Sequence, residues 1–262
     1  MSVLYRLRAD CAFLWSPTIE IEIVMKNWQE DLLDIFSDAQ ASTSDVFEHI
    51  EAAALALGFE HVAYGFKAPL PLSEPKVVLL NNYPQAWRAR YLEAGYLHVD
   101  PSVAQACRSQ APIVWSDRLF QDVPALWDEA KAHGLRVGWA QSSLDSLGVG
   151  GMLSLSRSCE PLSARELAEN TRRMQWLAHM AHVALSRLLR ADVAGYSDDN
   201  LTNREVEVMK WTADGKSAQD IADILAISKN TVDFHVKNAV KKLHAVNKTA
   251  AVVRAAMLGY LF

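Results

Sequence analysis

Two groups of apolar residues near the end of the chain recur at helical spacing, which predicts two consecutive amphipathic helices. The first group comprises Ile221, Ala222, Leu225 and Ile227, and the second comprises Val232, Val236, Val240 and Leu243. Only residues 226–228 remain as a turn, and Ser228 is a suitable N-cap for the second helix. Helices joined by so short a turn must cross steeply, as in a helix-turn-helix. The same pattern also fits an α-hairpin whose lysines simply face the solvent.

Local capping signals favour a compact helical bundle around this pair. Thr202 and Glu205 have the spacing of a capping box at the start of a preceding helix, and Ser217 and Asp220 form an acidic version at the start of the next. Gly215 lies where the preceding helix needs a left-handed residue in order to end. Because these signals agree, residues 201–262 are predicted to form one all-helical domain.

Short motifs extend through this whole domain. They are 202–205 (TNRE), 211–216 (WTADGK), 221–222 (IA), 227–228 (IS), 231–232 (TV), 235–236 (HV) and 242–243 (KL). Together they resemble the DNA-binding domain of LuxR-type regulators. The resemblance implies a four-helix domain in which residues 229–243 form the recognition helix. It also implies that a fourth helix, at 247–258, helps the protein to dimerise.

Residues 25–190 alternate between helical and strand-like patterns. Helices are predicted at 27–38, 44–57, 84–94, 101–108, 124–134 and 164–190, the last opened by a capping box of Ser163 and Glu166. Strands are predicted at 60–66, 76–81, 111–115, 136–141 and 149–156. Five short strands with helices between them predict a sheet covered on both faces. The fold class is therefore α+β, an N-terminal α-β-α sandwich with a five-stranded sheet followed by an all-α helix-turn-helix domain of four helices.

Charge is distributed unevenly along the 262 residues. The net charge is −5, yet residues 201–262 carry nine Lys or Arg against six Asp or Glu. This asymmetry is typical of an acidic sensor joined to a DNA reader.

Residues 191–200 are small and polar and are predicted to link the domains 25–190 and 201–262. Residues 1–24 precede Met25, where LuxR-type chains generally begin, and are interpreted as an extension that is non-native or disordered.

Cysteine content and hydropathy indicate the cellular compartment in which the protein is expected to act. Cys11, Cys107 and Cys159 are odd in number and lack metal-ligand spacing, so they are interpreted as reduced thiols in the cytoplasm. No apolar run approaches the roughly 20 residues that a membrane-spanning helix needs. No membrane partner is therefore predicted.

Aromatic residues with polar tips are concentrated between residues 83 and 127. Three of them are spaced four residues apart and are predicted to share one helical face: Tyr83, Trp87 and Tyr91. Three more follow along the chain: Trp115, Phe120 and Trp127. A plain hydrophobic core explains this spacing, and so does a cavity for a mostly apolar ligand, because buried Tyr and Trp need polar partners. Asp100, before Pro101, also has two interpretations, a helix N-cap and a carboxylate that accepts a hydrogen bond from a ligand.

These aromatic residues belong to a second series of motifs. The series comprises 82–84 (NYP) with Trp87 and Tyr91, then Asp100-Pro101, 114–116 (VWS), Glu129-Ala130 and Gly134-Leu135. It resembles the autoinducer-binding domain of LuxR-type regulators, so the similarity covers nearly everything after Met25. The resemblance implies an acyl-homoserine lactone as the ligand, with no cofactor and no metal.

The resemblance further implies a role for each residue of the ligand site. Trp87 would donate its indole N–H to the lactone carbonyl, Asp100 would accept the amide N–H, and Tyr83 and Ser154 would reach the amide carbonyl. The walls would be formed by Tyr91, Trp115, Phe120 and Trp127 around the head group and chain, and by Ala63 and Gly65 along the acyl tail. The proline usual after the strand at 136–141 is replaced by 141–145 (QSSLD), which leaves the preferred acyl substituent open.

A helix in the major groove would bring a defined set of side chains to DNA. Base-edge contacts are expected from Asp233 and Lys237, with Asn238 behind them. An Asp repels phosphate, so Asp233 fits a cytosine amino group better. Phosphate contacts are expected from Lys216, Lys229, Thr231, His235 and Lys241, and Asn230 completes the set. The implied partners are a second copy of the chain, an inverted-repeat double-stranded operator and RNA polymerase.

Three other functions share parts of this sequence. An enzyme acting on acyl lactones would use the same pocket, but the chain lacks a G-x-S-x-G elbow and a histidine-rich metal motif, so no catalytic residue is predicted. A phosphorylation-driven response regulator shares the DNA-binding module but would need an acidic cluster and a phosphate-accepting Asp at strand ends, and the aromatic motifs at 82–127 do not belong in such a protein. A dimer that binds DNA without any ligand is a third possibility that the sequence leaves open.

Overall fold

The computed structural model describes residues 30, 33–34, 40–68, 70–71, 73–145, 149–194 and 200–262. The predicted extension at 1–24 and most of the predicted helix at 27–38 lie outside these residues. Within them, no helix is both long and apolar enough to cross a bilayer.

The N-terminal region alternates helices and strands. Its helices are α1 (Thr43–Ala56), α2 (Gln85–Glu93), α3 (Pro101–Ala106), α4 (Pro124–Ala132) and α5 (Ala164–Ala194), with a short 3-10 helix at Tyr96–His98. Its strands are β1 (His61–Lys67), β2 (Val77–Asn81), β3 (Ile113–Val114), β4 (Val137–Leu144) and β5 (Gly150–Arg157). They form one five-stranded sheet in the order β2-β1-β5-β4-β3, with every pair antiparallel.

The two faces of the sheet are packed differently. Alternate residues of a strand point to opposite faces, so Val62, Tyr64 and Phe66 enter the core formed with α1 and α5. The residues between them, Ala63 and Gly65, face the side that carries α2, α3 and α4. A separate cluster of aromatic side chains lies on that side. The predicted α-β-α sandwich is confirmed.

Several boundaries differ from the predictions for physical reasons. β4 continues to Leu144, which pairs with Gly150, because 141–144 contains no proline and can donate to the strand ladder. α5 continues to Ala194, into the segment predicted as linker. The predicted capping box of Ser163 and Glu166 is only half formed. Ser163 Oγ accepts from the Glu166 N–H, but both oxygens of the Glu166 carboxylate accept from Arg157, each at 2.8 Å.

Four helices form the C-terminal region, as predicted: α6 (Asn203–Ala213), α7 (Ala218–Leu225), α8 (Lys229–Lys242) and α9 (Lys248–Met257). Both predicted capping boxes, at Thr202 and at Ser217, are present, and Ser228 caps α8. Gly215 has a φ of +82°. The turn between α7 and α8 is Ala226–Ser228, and Ala226 there has a φ of +52°.

Candidate ligand-binding cavity and DNA-binding surface

A cavity of about 1330 Å³ lies between the second face of the sheet and the layer formed by α2, α3 and α4. The sheet can form its floor without filling it because several side chains there are small, as at Ala63, Gly65 and Ser154, beside the larger Leu79 and Met152. All ten residues predicted for the ligand site line this cavity: Ala63, Gly65, Tyr83, Trp87, Tyr91, Asp100, Trp115, Phe120, Trp127 and Ser154. The structure thus brings them together, while their individual roles stay predictions.

Ring-to-ring packing holds the aromatic wall in place. Phe120 and Trp127 stack with their centroids 4.6 Å apart, and Trp115 meets both rings edge-on, at 6.1 and 6.3 Å. The Trp127 indole N–H donates to Asp117 Oδ1 at 2.6 Å. Trp87 is only 3% exposed and meets Tyr91 edge-on at 5.7 Å. These rings are both packed hydrophobic residues and cavity walls, so the two interpretations of the aromatic cluster are compatible.

Trp115 lies flat on the sheet at a glycine. A Cβ added to Gly138 would lie 2.1 Å from Trp115 Cδ2, far inside the contact distance of two carbon atoms. The Trp115 backbone N–H also donates to the Gly138 carbonyl at 2.8 Å. Gly138 therefore fixes how deeply this indole is seated in the cavity wall.

Asp100 has both an architectural contact and a place in the cavity. Its Oδ1 accepts from the Ser102 N–H at 2.8 Å and from the Ser102 hydroxyl at 2.6 Å, which caps α3. Its Oδ2 accepts from the Tyr91 hydroxyl at 3.0 Å. The predicted N-cap is confirmed, and Oδ2 keeps acceptor capacity because a carboxylate oxygen has two lone pairs.

Burial keeps the two phenols of the cavity neutral. Burial raises the pKa of Tyr83 well above its usual value. It also raises the pKa of Tyr91, and the adjacent Asp100 carboxylate raises it further. The Tyr83 hydroxyl can therefore donate a hydrogen bond to a carbonyl at neutral pH, whereas the Tyr91 hydroxyl donates its proton to Asp100 Oδ2.

An ion pair that the sequence did not reveal joins α2, which carries Trp87 and Tyr91, to α4, which carries Trp127. Arg90 on α2 donates to Glu129 on α4 through Nε at 2.7 Å and Nη2 at 2.9 Å. The hydrogen bonds from Arg90 outweigh partial desolvation and lower the pKa of Glu129. A second unpredicted feature is Asn81, which lines the cavity beside Ala63, its partner across the β1–β2 pair.

In the C-terminal region, α8 turns one face to the bundle and the other to solvent. Val232 and Ala239 are fully buried. Five of the predicted DNA-binding residues are exposed: Lys216, Lys229, Asn230, Lys237 and Lys241. The other four are partly exposed: Thr231, Asp233, His235 and Asn238. All nine are thus accessible. Phe234, which was not among the predicted DNA-binding residues, is 58% exposed on the outer face of α8, as its helical position two residues after Val232 indicates.

Two family descriptions match these two regions. The family "Autoinducer binding domain" matches residues 42–185, and the family "Bacterial regulatory proteins, luxR family" matches residues 199–255. The chain belongs to the LuxR family. It is a quorum-sensing type of transcriptional regulator with an autoinducer-binding domain and a helix-turn-helix DNA-binding domain.

Two relatives within the LuxR family match this chain nearly end to end, and a third matches about two thirds of it. The transcriptional activator protein AnoR of Acinetobacter nosocomialis is 42% identical over 239 residues, which cover 90% of this chain and 100% of AnoR. The structure of SdiA in complex with octanoyl-rac-glycerol has a TM-score of 0.77 and 34% identity, and covers 94% of this chain and 98% of that one; SdiA is a regulatory protein of Escherichia coli. CepR2 from Burkholderia cenocepacia, described as N-acylhomoserine lactone dependent, has a TM-score of 0.59 and 32% identity, and covers 64% of this chain and 98% of that one.

In this LuxR-family chain, Glu205 stabilises the DNA-binding domain. Glu205 is 3% exposed, and its Oε2 accepts from the Thr202 N–H at 2.8 Å and from Lys242 Nζ at 2.9 Å. Burial alone would raise the pKa of Glu205, but the hydrogen bonds from Lys242 and Thr202 prevail and lower it. The predicted capping role of Glu205 is therefore confirmed, and the ion pair ties the end of α8 to the start of α6.

Proposed function

We propose that this LuxR-family protein is a quorum-sensing transcription factor whose cavity binds an acyl-homoserine lactone. The observation that carries the proposal is the convergence of an indole, a carboxylate and two phenols, those of Trp87, Asp100, Tyr83 and Tyr91, on one large apolar cavity. The ligand presents a lactone carbonyl, an amide and an apolar chain. A mostly apolar cavity with a few placed polar groups is suited to such a molecule.

Each polar group of the cavity has a proposed partner on the ligand. Trp87 donates to the lactone carbonyl, Asp100 Oδ2 accepts the amide N–H, and Tyr83 and Ser154 reach the amide carbonyl. Ala63 and Gly65 leave room above the sheet for the acyl chain. A ligand without the amide N–H would leave the Asp100 carboxylate desolvated and short of a donor, which disfavours binding.

The relatives support an acyl chain with a polar head as the ligand class. CepR2 is described as dependent on N-acylhomoserine lactone, and SdiA is described in complex with octanoyl-rac-glycerol. The two molecules share an acyl chain carried by a compact polar group. This is the combination that the floor and the aromatic wall of the cavity fit.

The proposal extends to DNA. Ligand burial shifts the population of the protein towards an ordered homodimer, which places two copies of α8 one turn of DNA apart on an inverted-repeat operator. Asp233, Lys237 and Asn238 read base edges, and the lysines at 216, 229 and 241 contact phosphates, together with Thr231, His235 and Asn230. The dimer acts in the cytoplasm, and RNA polymerase is its further partner.

Thermal unfolding of the full-length protein with a panel of ligands tests the ligand assignment. The panel comprises hexanoyl-, octanoyl- and dodecanoyl-homoserine lactone and octanoyl glycerol. A ligand at a hundredfold excess over its dissociation constant stabilises the folded state by about 2.7 kcal/mol, which raises the melting temperature. Trp87→Phe should weaken this response. Trp176→Phe, an indole replacement on α5 that packs against the other core, should leave it unchanged.

The outcome also separates the alternative functions. An unchanged melting temperature with every member of the panel, together with specific DNA binding, would identify a ligand-independent DNA-binding regulator. Recovery of opened lactone after incubation would identify an acyl-lactone-processing enzyme. The proposal expects the bound lactone to be recovered intact.

A further inference from the structure

Phe234 is a large apolar side chain that the DNA-binding domain does not use in its core. It is 58% exposed, whereas Val232 and Ala239 on the same helix are fully buried. Two residues advance an α-helix by about 200°, so Phe234 points almost directly away from Val232 and from the bundle. Nothing in the packing of the four helices requires a phenyl ring at this position.

Polar residues surround Phe234 on the outer face of α8. Asn230 lies about one turn before it and Lys237 about one turn after it, and both are exposed. The ring meets its neighbour His235 edge-on, with centroids 5.6 Å apart. A phenyl ring left in water forgoes the stabilisation that burial of its surface would give. The ring therefore occupies the centre of a surface on which a polar residue would be the ordinary choice.

The major groove offers an apolar group that matches this ring. Base edges there display hydrogen-bond donors and acceptors, and thymine alone adds a C5 methyl group. Lysines and asparagine can read the donors and acceptors but gain little from a methyl. A phenyl ring flanked by Asn230 and Lys237 would reach the same groove and bury that methyl.

We infer that Phe234 is a specificity-determining residue that contacts the C5 methyl of a thymine in each half of the operator. The inference rests on the proposed binding of the dimer to an inverted repeat. It assigns to Phe234 the apolar part of base recognition, beside the polar part proposed for Asp233 and Lys237. The preferred half-site therefore contains a thymine whose methyl group contributes to affinity.

Deoxyuridine replacement tests this contact, because it removes the methyl group and nothing else. The full-length protein, with the acyl-homoserine lactone that stabilises it most, selects its operator from random double-stranded DNA. Each thymine of the selected operator is then replaced by deoxyuridine in both half-sites. One replacement should weaken binding about sixteenfold, or about fourfold for each buried methyl. With Phe234→Ala the same replacement should have no effect.

A matched variant and two further readouts make the test decisive. Lys241→Ala should bind both operators more weakly but keep the sixteenfold difference, since it removes a phosphate contact. Circular dichroism of Phe234→Ala should be unchanged because the side chain is exposed. An undiminished deoxyuridine effect with Phe234→Ala overturns the inference. Loss of dimerisation by Phe234→Ala with that effect retained assigns the ring to a protein contact and also overturns it.

Failure of the proposed function would look different. In that case the unmodified protein would enrich no sequence from the random pool, which overturns the inference together with the DNA-binding proposal. Enrichment of an operator whose thymine methyls are all without effect overturns the assignment of Phe234 alone.

Discussion

At the scale of single residues, the cavity uses side chains that hold the fold and face the ligand at the same time. Asp100 caps α3 through Oδ1 and accepts from Tyr91 through Oδ2. Gly138 leaves the space in which the Trp115 indole lies. A substitution at such a residue changes stability and binding together, so a test of function must separate the two.

Two substitutions of Asp100 separate its roles. Asp100→Asn keeps an oxygen that can accept from the Ser102 N–H, so the free energy of unfolding should change little. Asp100→Ala removes the cap and should lower it by about 1 kcal/mol. Both should weaken stabilisation by acyl-homoserine lactone, because both remove the carboxylate. Urea unfolding with and without ligand measures the two effects. Equal stability of the two variants without ligand would contradict the capping role.

Much of the site was predictable at this scale, and the exceptions have a common cause. Trp87 and Tyr91 are spaced so that α2 brings them to one side, but Tyr83, predicted on the same helical face, precedes this helix; the family motifs indicated that all three face a ligand. The pair of Arg90 and Glu129 could not be predicted, because its partners are 39 residues apart and meet only once α2 and α4 have packed. The relation of Trp115 to Gly138 likewise depends on the strand register.

At the scale of elements, helices with local signals were predicted closely, whereas the lengths of strands β3 and β4 were not. Capping boxes at Thr202 and Ser217 act within four residues, so the sequence alone locates α6 and α7. The strand predicted at 111–115 is only Ile113–Val114 in the structure, because its length depends on what β4 offers as a partner. β4 itself extends to Leu144 for the same reason, since Gly150 lies opposite.

Residues on the outer face of α8 should fall into two groups. One group contacts base edges and determines which DNA sequence is preferred, and the other contacts phosphates and contributes affinity for any DNA. Lys237→Ala should reduce the preference for the operator over random DNA, because it removes a proposed base contact. Lys241→Ala should weaken binding to both and lower the slope of log affinity against log salt by about one per protomer. Salt titrations on both kinds of DNA measure this difference. Equal losses on both DNAs for the two variants would contradict the assignment.

The packing of α5 on the sheet predicts a dependence of stability on pH. His182 on α5 is 1% exposed, and its Nδ1 lies 2.8 Å from the Tyr64 hydroxyl of β1. A Cβ added to Gly151 would lie 2.5 Å from this nitrogen. Burial lowers the pKa of His182 from 6.5 to about 4. Between these values the unfolded chain binds the proton and the folded chain does not, so stability falls as the pH falls.

The size of this effect is set by the difference between the two pKa values. The folded state should lose up to roughly 3 kcal/mol between pH 6.5 and pH 4 from His182 alone. His182→Gln keeps a polar partner for Tyr64 but cannot titrate, and carboxylates contribute equally in both proteins. Urea unfolding across this range should therefore show a steeper decline for the unmodified protein. Parallel curves would exclude His182 as the source.

At the scale of the whole molecule, the proposed function links two sites that lie in different domains. If ligand raises the affinity for DNA by some factor, operator DNA must raise the affinity for ligand by the same factor. We expect a factor within the usual range of about 5 to 150. Calorimetric titration of the lactone with and without operator DNA measures it from one side, and titration of DNA measures it from the other. A factor of one would show that the cavity does not control DNA binding.

Because the two faces of the sheet pack differently, proteins of this fold can change one face and keep the other. Along β1, every second side chain enters the core formed with α1 and α5, and the side chains between them face the cavity. A substitution at Ala63 or Gly65 therefore changes the shape of the cavity, while Val62 and Tyr64 continue to stabilise the core. Proteins that descend from one ancestor can in this way evolve specificity for different ligands while the fold stays the same.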